Sequence, residues 1–507
     1  IFGVDKDENA VKVAIFSIYI TLLDNLESKS ISEFKLPELL NKNLFVADFF
    51  DLNANFNDVL NSLSFQFIIG NPPWKTKHSK EKQLFEDYIV KRRLKESSNL
   101  EIENREIAEA FLVRLSDFKF GQAALIVTSK ILYKVSRRKN KGGFRKYFLN
   151  KFLINKVVEL SSVRQQIFNQ SSDSAVAPAT ILFYKKIENE NSVQDNLICH
   201  ISIKPNIFFE ILKIIVIEKF DIKYIVQKKL FEDDWLWKVL VYGNVLDYDF
   251  IKKFKKTKSI FDYISNERNF IFGKGISIGG GDKNNIQEHK KILYSVNSKQ
   301  KGLKPFIVEY SESFLENLEF VHRPRRISLF RAPVLLVGKG ITNDFKAKAA
   351  ISYNDVLYTD AITGIKPISN EGKEITYTLE GLFNSDLFSY FLVQTNSSIG
   401  IEREQAHDKE DKFSIPLIID ESKKLKYYSD KIRELFQLYN NVFFDSDKNN
   451  IQKEILNYEK EINNFLLKLY KITPQEKSLI NYTNEITIPL LKGTIEKKKK
   501  VISKIRF

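Results

Sequence analysis

Apolar and polar positions alternate in short blocks along the first part of the chain. Compact apolar runs at 1–4, 44–47 and 65–69 are separated by stretches in which apolar residues recur at helical spacing. Such runs predict buried strands, and such spacing predicts amphipathic helices. Further strands are predicted at 123–128, 157–160 and 180–184. Because strands that alternate with helices favour a parallel sheet, residues 1–186 predict a doubly wound, mostly parallel α/β sheet.

The pattern changes along the chain and predicts four segments. Residues 1–190 form the α/β domain, and residues 191–265 form a less regular connecting region. Residues 266–420 are rich in glycine and other turn residues, which favours short strands and loops. Residues 421–507 return to helical spacing and predict two helices that pack as a hairpin.

Composition places the chain among ordinary globular proteins. Of its 507 residues, 43% are hydrophobic and 28% are charged, which excludes disordered, collagenous and disulfide-scaffold classes. No uncharged apolar stretch reaches the roughly 18 residues of a membrane span, so we expect no membrane partner. The single cysteine, Cys199, excludes an internal disulfide and a cysteine zinc site. We expect a cytoplasmic protein without a bound metal.

The charge balance is strongly basic. Lysine and arginine together number 79 against 64 acidic residues, which gives a net charge of +15 and a pI near 9.3. A surplus of this size favours a polyanionic partner such as nucleic acid. The alternative is an AT-rich coding bias, since lysine, asparagine, isoleucine and phenylalanine are all abundant.

The run Asn71-Pro72-Pro73-Trp74 directly follows the predicted strand at 65–69 and carries the strongest chemical signal. Adjacent prolines end a strand in a rigid, extended turn, and strand carboxyl ends face the ligand crevice of an open α/β sheet. The Asn71 amide oxygen and the Pro72 carbonyl can accept hydrogen bonds, and Trp74 can stack on a ring. This set suits a flat heterocycle with an exocyclic amino group; the alternative is a purely structural turn.

Asn71 to Trp74, with its preceding strand, resembles the catalytic motif of amino-group methyltransferases that use S-adenosylmethionine. The resemblance is above all to DNA adenine-N6 methyltransferases of the type IIG restriction–modification group. It implies a Rossmann-like methyltransferase sheet in residues 1–190 and S-adenosylmethionine as the cofactor. It also implies that Asn71, Pro72, Pro73 and Trp74 are the catalytic residues and that Trp74 stacks on the target base.

The resemblance assigns further residues to the cofactor and to the target base. Asp5 resembles the acidic residue at the end of the family's second strand, which binds the cofactor ribose. Asp48 resembles the residue that binds the adenine amino group of the cofactor, and Phe49 the ring that packs on that adenine. Phe168 resembles the second aromatic against the flipped base. The alternatives are solvated loop carboxylates and a core phenylalanine.

The family's first strand and glycine-rich loop, which cradles the methionine part of the cofactor, have no counterpart here. The chain starts at the equivalent of the second strand, and the glycines at 279–281 lie in another predicted domain. The chain also begins with Ile1 and contains no methionine. We therefore expect a sheet truncated at its first strand, in a chain that is not the intact translation product and binds cofactor poorly alone.

Downstream segments resemble the remaining parts of type IIG enzymes. Residues 322–331, 379–385 and 415–416 resemble a mixed target-recognition domain, and residues 466–480 resemble the usual C-terminal helices. Two basic clusters suit contacts with DNA, in which phosphate contacts position the duplex and base-edge contacts specify its sequence. Their candidate residues are Arg137, Arg138, Lys139, Arg323, Arg325 and Arg326. Solvated basic faces are the alternative.

These features together predict a sequence-specific DNA adenine-N6 methyltransferase of a restriction–modification or related defence system. It would transfer a methyl group from S-adenosylmethionine to a flipped adenine. The implied partners are double-stranded DNA and an upstream nuclease domain or separate restriction subunit, because no nuclease motif occurs in the chain. Two alternatives stay open: a methyltransferase acting on RNA or protein glutamine, and a catalytically silent DNA-recognition subunit, which the absent glycine loop would fit.

Overall fold

The structure is a computed structural model that divides into two compact units. It describes residues 1–27, 34–74, 83–96, 100, 102, 106–133, 143–168, 177–187, 192–204, 208, 212, 214–279, 281–296, 302–342, 345–401 and 412–492. The first unit comprises Ile1–Leu160, Ala177–Ile203 and Ile217–Asp233. The second comprises Ser161–Val176, Lys204–Val216 and Asp234–Phe507. Two short segments in the first half of the chain therefore cluster with the second unit.

Eight strands are described in the first unit. Their bounds are Gly3–Asp5 (β1), Leu44–Val46 (β2), Ser64–Gly70 (β3), Lys119–Thr128 (β4), Phe152–Glu159 (β5), Ala179–Lys186 (β6), Leu197–Ser202 (β7) and Ile222–Val226 (β8). β1 pairs in parallel with β2, and the other six form one sheet of order β3-β4-β6-β5-β7-β8. The α/β class predicted from the sequence is confirmed.

The six-stranded sheet is mixed: four strands, β3, β4, β5 and β7, run in one direction, in line with the expected mostly parallel sheet, whereas β6 and β8 run in the opposite direction. β3 and β4 are parallel, as are β5 and β7. In contrast, β6 runs antiparallel to both β4 and β5, and β8 runs antiparallel to β7. The apolar run that forms β6 indicates a buried strand, but burial on both faces carries no information about strand direction.

Nine helices are described between residues 1 and 233. They are Glu8–Asp24 (α1), Phe56–Asn61 (α2), Gln83–Glu96 (α3), Ile107–Arg114 (α4), Lys130–Tyr133 (α5), Gly143–Lys151 (α6), Arg164–Ile167 (α7), Ser192–Asp195 (α8) and Lys229–Glu232 (α9). α1 begins after Asp7, whose carboxylate accepts hydrogen bonds from the amides of Asn9 and Ala10. This N-cap satisfies donors that the first turn leaves unpaired.

An aromatic cluster joins the β1–β2 pair to β3 within the first unit. Its buried members include Phe45, Phe56 and Phe118, and Phe49 and Phe65 pack against them. These rings come from β2, α2, β3 and the loops beside them. Because these rings pack against one another, they tie the β1–β2 pair to β3.

The second unit contains mostly short strands. They are Phe270–Lys274 (β9), Asn284–Asn285 (β10), Tyr294–Val296 (β11), Leu303–Lys304 (β12), Ile307–Val308 (β13), Ser311–Glu312 (β14), Phe320–Val321 (β15), Val334–Ile341 (β16), Ala347–Ser352 (β17), Val356–Tyr358 (β18) and Ile362–Pro367 (β19). The longest strands form an antiparallel sheet of order β17-β16-β19-β9. The turn-rich composition of this part of the chain thus leads to short strands, as predicted.

Helices precede and follow these strands. They are Leu236–Tyr242 (α10), Val245–Phe254 (α11), Ile260–Ile264 (α12), Asn370–Phe383 (α13), Asp386–Thr395 (α14), Lys424–Asn441 (α15), Asp445–Leu469 (α16), Pro474–Tyr482 (α17) and Ile488–Lys492 (α18). α15 and α16 pack along each other, so the helical hairpin predicted from the sequence is confirmed. None of the helices described in either unit is long and apolar enough to cross a bilayer.

A buried ion pair connects two of these helices to the sheet. Glu380 in α13 is fully buried and accepts hydrogen bonds from the amide of Ile351 at 2.8 Å and from Arg433 of α15 at 2.8 and 2.9 Å. Burial raises the pKa of the Glu380 carboxyl, and the Arg433 guanidinium opposes that rise. Removing the guanidinium would leave the carboxylate buried without its charge partner.

Replacing Arg433 with methionine should lower the free energy of unfolding by about 3 kcal/mol, because an unpaired buried charge is expensive. The matched control is Lys431→Met, which removes an exposed pair with Glu434 on the same helix and should leave the stability close to that of the parent. Urea denaturation of both variants measures the difference. Equal losses would contradict the assignment of Glu380–Arg433 as a buried, stability-determining pair.

Candidate functional site

Two aspartates lie beyond the carboxyl ends of the parallel strands β1 and β2. Asp5 ends β1 and is paired in register with Val46, the last residue of β2, so Asp48 follows at the same edge. A carboxylate oxygen of Asp5 accepts a hydrogen bond from the amide of Asp7 at 2.8 Å. A carboxylate oxygen of Asp48 accepts one from the amide of Phe50 at 2.9 Å. Both side chains are therefore oriented by their own loops.

Phe49 belongs to the aromatic cluster beside this edge. Its ring stacks on Phe111 of α4 with centroids 5.0 Å apart and planes 10° apart, and on Phe56 of α2 at 6.0 Å and 12°. The residue remains partly exposed. The orientation of the ring is thus set by the protein before any ligand binds.

The Asn71-Pro72-Pro73-Trp74 turn begins where β3 ends, at Gly70. Asn71 and Pro73 are exposed, whereas Pro72 is buried and Trp74 is partly buried. The indole N–H of Trp74 donates to the carbonyl of Ile126 in β4 at 3.2 Å. The turn is therefore anchored to the neighbouring strand through Trp74, while the Asn71 amide faces solvent.

A buried carboxylate lies at the ends of the next strands. Glu159, the last residue of β5, is 1% exposed. It accepts hydrogen bonds from the Ser129 hydroxyl at 2.8 Å and from the Tyr133 hydroxyl at 2.7 Å. These two residues follow β4, so Glu159 fixes the segment after that strand. Sequence reasoning missed this residue; the available signal was an acidic side chain at the end of an apolar run.

Sequence reasoning also missed two buried polar residues beneath the loop that carries Asp48 and Phe49. Arg114, at the end of α4, is 2% exposed, and Asn57 in α2 is 7% exposed. The signal for Arg114 was a charged residue at the end of a short helix whose other positions are mostly apolar. Both side chains contact the loop through hydrogen bonds described below.

Phe168 and the first basic cluster are the remaining predicted residues of the first half of the chain. Phe168 caps the C-terminal end of α7 and is partly buried, in a segment that clusters with the second unit. Residues Arg137, Arg138 and Lys139 lie outside the described residues. Nothing in the structure therefore bears on their predicted contacts with a base or with phosphates.

The three arginines of the second basic cluster differ in their surroundings. The backbone of Arg323 exchanges two hydrogen bonds with Ser277, both 3.1 Å long, and its Nε donates to Nε2 of His322 at 3.1 Å. Arg325 has a positive φ of 72° and donates through Nε to the carbonyl of Gly275 at 3.2 Å. Arg323 and Arg326 are exposed, and Arg325 is partly buried. The exposed pair can meet an anionic ligand, whereas Arg325 also supports its own loop.

The two carboxylates at the β1–β2 edge fit the adenosine part of a nucleoside cofactor. Carboxylate oxygens accept hydrogen bonds from hydroxyl and amino groups, which suits Asp5 and Asp48 to a ribose and an adenine. Among the described residues, no three histidine, cysteine or acidic side chains lie close enough to hold a metal ion.

The N-terminal part of the chain is similar to a known protein family. Residues 1–168 match the family described as Eco57I restriction-modification methylase. The family resemblance inferred from the sequence is thereby confirmed for the part of the chain that carries the two aspartates and the Asn-Pro-Pro-Trp turn. No curated protein matches the chain by sequence.

One solved structure extends the likeness in fold beyond this part. The type IIL restriction-modification enzyme MmeI, solved in complex with DNA, is 12% identical, with a TM-score of 0.50 over 91% of this chain and 60% of that chain. The type IIG restriction endonuclease BpuSI is 11% identical, with a TM-score of 0.34 over 86% of this chain and 56% of that chain. This chain therefore spans about three fifths of the length of these proteins. The likeness to MmeI concerns the fold alone.

Replacing Trp74 with phenylalanine should loosen the turn, because it removes the indole N–H that binds the Ile126 carbonyl. The expected cost is about 1 kcal/mol, the usual value of a single hydrogen bond. Hydrogen exchange of the Gly70 and Asn71 amides should become faster. Trp235→Phe is the control, since Trp235 stacks on Tyr248 in the second unit. Unchanged exchange in the Trp74 variant would show that the tether does not hold the turn.

Proposed function

We propose that this chain is a DNA adenine-N6 methyltransferase that uses S-adenosylmethionine. The observation that carries the proposal is the exposed Asn71 amide, on a proline-stiffened turn that Trp74 anchors to β4. The match of residues 1–168 to a restriction-modification methylase family supports it. Because a family match does not specify the methylated atom, adenine N6 is inferred from the chemistry of the turn.

The residues at the β1–β2 edge would hold the cofactor. Asp5 would accept hydrogen bonds from the ribose hydroxyls, Asp48 from the adenine amino group, and Phe49 would pack on the adenine. When bound, S-adenosylmethionine supplies an electrophilic methyl group. The protein's task is then to orient a weak nucleophile toward that methyl, which is a matter of positioning more than of acid–base chemistry.

The Asn-Pro-Pro-Trp turn would supply that orientation. The adenine amino group is buried in a duplex, so the base must leave the stack at a cost of a few kcal/mol. Stacking on Trp74 offsets part of this cost, and Phe168 is proposed as a second aromatic contact. The Asn71 amide oxygen and the Pro72 carbonyl would each accept a hydrogen bond from the amino group. The bond between nitrogen and the methyl carbon would form as the bond between that carbon and the sulfonium sulfur breaks, with S-adenosylhomocysteine as the leaving group, and the nitrogen would lose one proton to solvent.

The second unit would recognise the DNA sequence. Its exposed arginines Arg323 and Arg326, together with Arg325, can contact phosphates or base edges. Arg137, Arg138 and Lys139 are proposed to bind phosphates on the methyltransferase side. The fold likeness to MmeI, whose structure contains DNA, supports a DNA partner for this chain. A restriction–modification or related defence system, with a nuclease domain or subunit as partner, follows from the same proposal.

The Asn71→Ala variant should lose at least about 100-fold in methyl transfer, because one of the groups that polarises the target amine is gone. DNA affinity and folding should change little, since Asn71 is exposed. Asn61→Ala, an exposed asparagine at the end of α2, is the matched control. The measurement is transfer of tritium from labelled S-adenosylmethionine to plasmid DNA, with N6-methyladenine identified by mass spectrometry.

The same assay distinguishes the alternative functions. Label recovered in RNA or on protein glutamine, with none in DNA, would replace the proposed substrate. An absence of label in every substrate, with DNA binding intact, would indicate a recognition subunit. Equal methylation by Asn71→Ala and the parent would remove the catalytic role of the turn.

Alanine at Arg323 or Arg326 should weaken binding to DNA. Each phosphate that the variant can no longer bind should reduce the salt dependence of the affinity by about one unit of slope. Lys431→Ala is the control, because that exposed lysine pairs with Glu434 on α15. Fluorescence anisotropy with duplex DNA at several salt concentrations gives the slopes. An unchanged slope in both arginine variants would place the DNA elsewhere on the unit.

A further inference from the structure

Arg114 occupies an unusual position for an arginine. Only 2% of it is exposed, and its guanidinium makes three hydrogen bonds. Nε donates to the Phe49 carbonyl at 3.0 Å, one Nη donates to Asp117 at 2.7 Å, and the other donates to the Asn57 side-chain oxygen. One guanidinium therefore connects the end of α4, the start of α2 and the loop that follows β2.

Aromatic rings enclose the same guanidinium. Its central carbon lies 4.9 Å from the ring centroid of Phe118, 5.3 Å from that of Phe49 and 5.5 Å from that of Tyr88. Cation–π contacts of this kind gain strength when water is excluded. Phe49 is thus held twice by Arg114, through its carbonyl oxygen and through its ring.

Asn57 extends the contact further along the loop. Its amide nitrogen donates to the carbonyl of Asp51 at 2.9 Å and to the carbonyl of Ala54 at 2.8 Å. Loop backbone without a strand ladder still needs partners for its polar groups. Arg114 and Asn57 together provide them for three carbonyls between residues 49 and 54. We call this pair the Arg114–Asn57 clamp.

We propose that Arg114 and Asn57 are positioning residues that hold the 48–54 loop in its cofactor-binding conformation. The proposal rests on the proposed function, because that function gives the loop its ligand. A buried ion pair is weak support for stability, and apolar side chains can often replace one. The planar guanidinium of arginine can donate hydrogen bonds to a carbonyl, a carboxylate and an amide oxygen at the same time. That geometry fixes the neighbours of Asp48.

The neighbouring Arg92 provides a matched control. Arg92 binds the other carboxylate oxygen of Asp117 and donates to the Ser116 hydroxyl at 2.7 Å. Both arginines share one carboxylate, but the bonds described for Arg92 go to Asp117 and Ser116, outside the loop. Lysine at either position keeps the positive charge but loses the planar guanidinium and its several hydrogen-bond donors. Only the change at Arg114 should therefore alter the loop.

The experiment measures S-adenosylmethionine binding by the full chain and its Arg114→Lys, Arg92→Lys and Asn57→Asp variants. Arg114→Lys should raise the Kd about tenfold and change kcat at saturating cofactor by less than about threefold. Asn57→Asp keeps the acceptor for Arg114 but loses both donors to the loop, and it should also raise the Kd. Arg92→Lys should lower the thermal midpoint with a Kd like that of the parent.

Hydrogen exchange of residues 48–54 provides a second readout that needs no ligand. Arg114→Lys should speed exchange in this loop, and Arg92→Lys should not. A parental Kd in Arg114→Lys, or an equal rise in Arg92→Lys, would overturn the positioning role. A parent chain that binds no S-adenosylmethionine would bear on the proposed function and not on the clamp. In that case loop exchange decides about the clamp: equal exchange in the two arginine variants would overturn it.

Discussion

Where a strand ends, the backbone that follows loses its ladder partners, and the loop must satisfy its polar groups in another way. In the first unit, the candidate groups at the β1–β2 edge and in the Asn-Pro-Pro-Trp turn lie at such places. Asp5 and Asp48 each bind an amide two residues further on. Trp74 reaches across to the Ile126 carbonyl, and Glu159 accepts two hydroxyls from the segment after β4. The same bonds that satisfy these loops orient the side chains for chemistry.

The second unit meets the same requirement with long polar side chains. Lys238 of α10 is 1% exposed and donates to the carbonyl of Val393 at 2.8 Å and to that of Ile399. Tyr242 donates to the Gly400 carbonyl, and Arg164 donates to the Ile401 carbonyl. A loop without regular structure is thus held by side chains from helices. In both units long polar side chains replace the ladder, because they can reach several carbonyls from one buried position.

The sequence allowed the local elements to be predicted, but not the contacts between distant ones. Runs of apolar residues placed β3 and the turn after it within a residue or two, because strand ends and prolines are local signals. The direction of β6 could not be predicted, because a strand buried on both faces has the same hydrophobic pattern in either direction. Arg114 was missed for a related reason: its partners Phe49 and Asn57 lie 65 and 57 residues away along the chain. At the end of a helix, such an arginine looks like a surface charge.

The chemistry inferred for the site explains why so much of the structure serves rigidity. An amide oxygen and a backbone carbonyl are weak bases, so they contribute only when held within about 0.5 Å of the required position. Two prolines limit the backbone of the turn, and Trp74 ties it to β4. Within the turn, Pro72 is buried in the protein, whereas Asn71 is exposed and accessible to a substrate. A site built on acid–base groups could tolerate looser loops, because proton transfer can pass through a water molecule. A site that acts by orienting its substrate cannot tolerate looser loops. The positions of its groups depend on hydrogen bonds made by residues that do not touch the substrate.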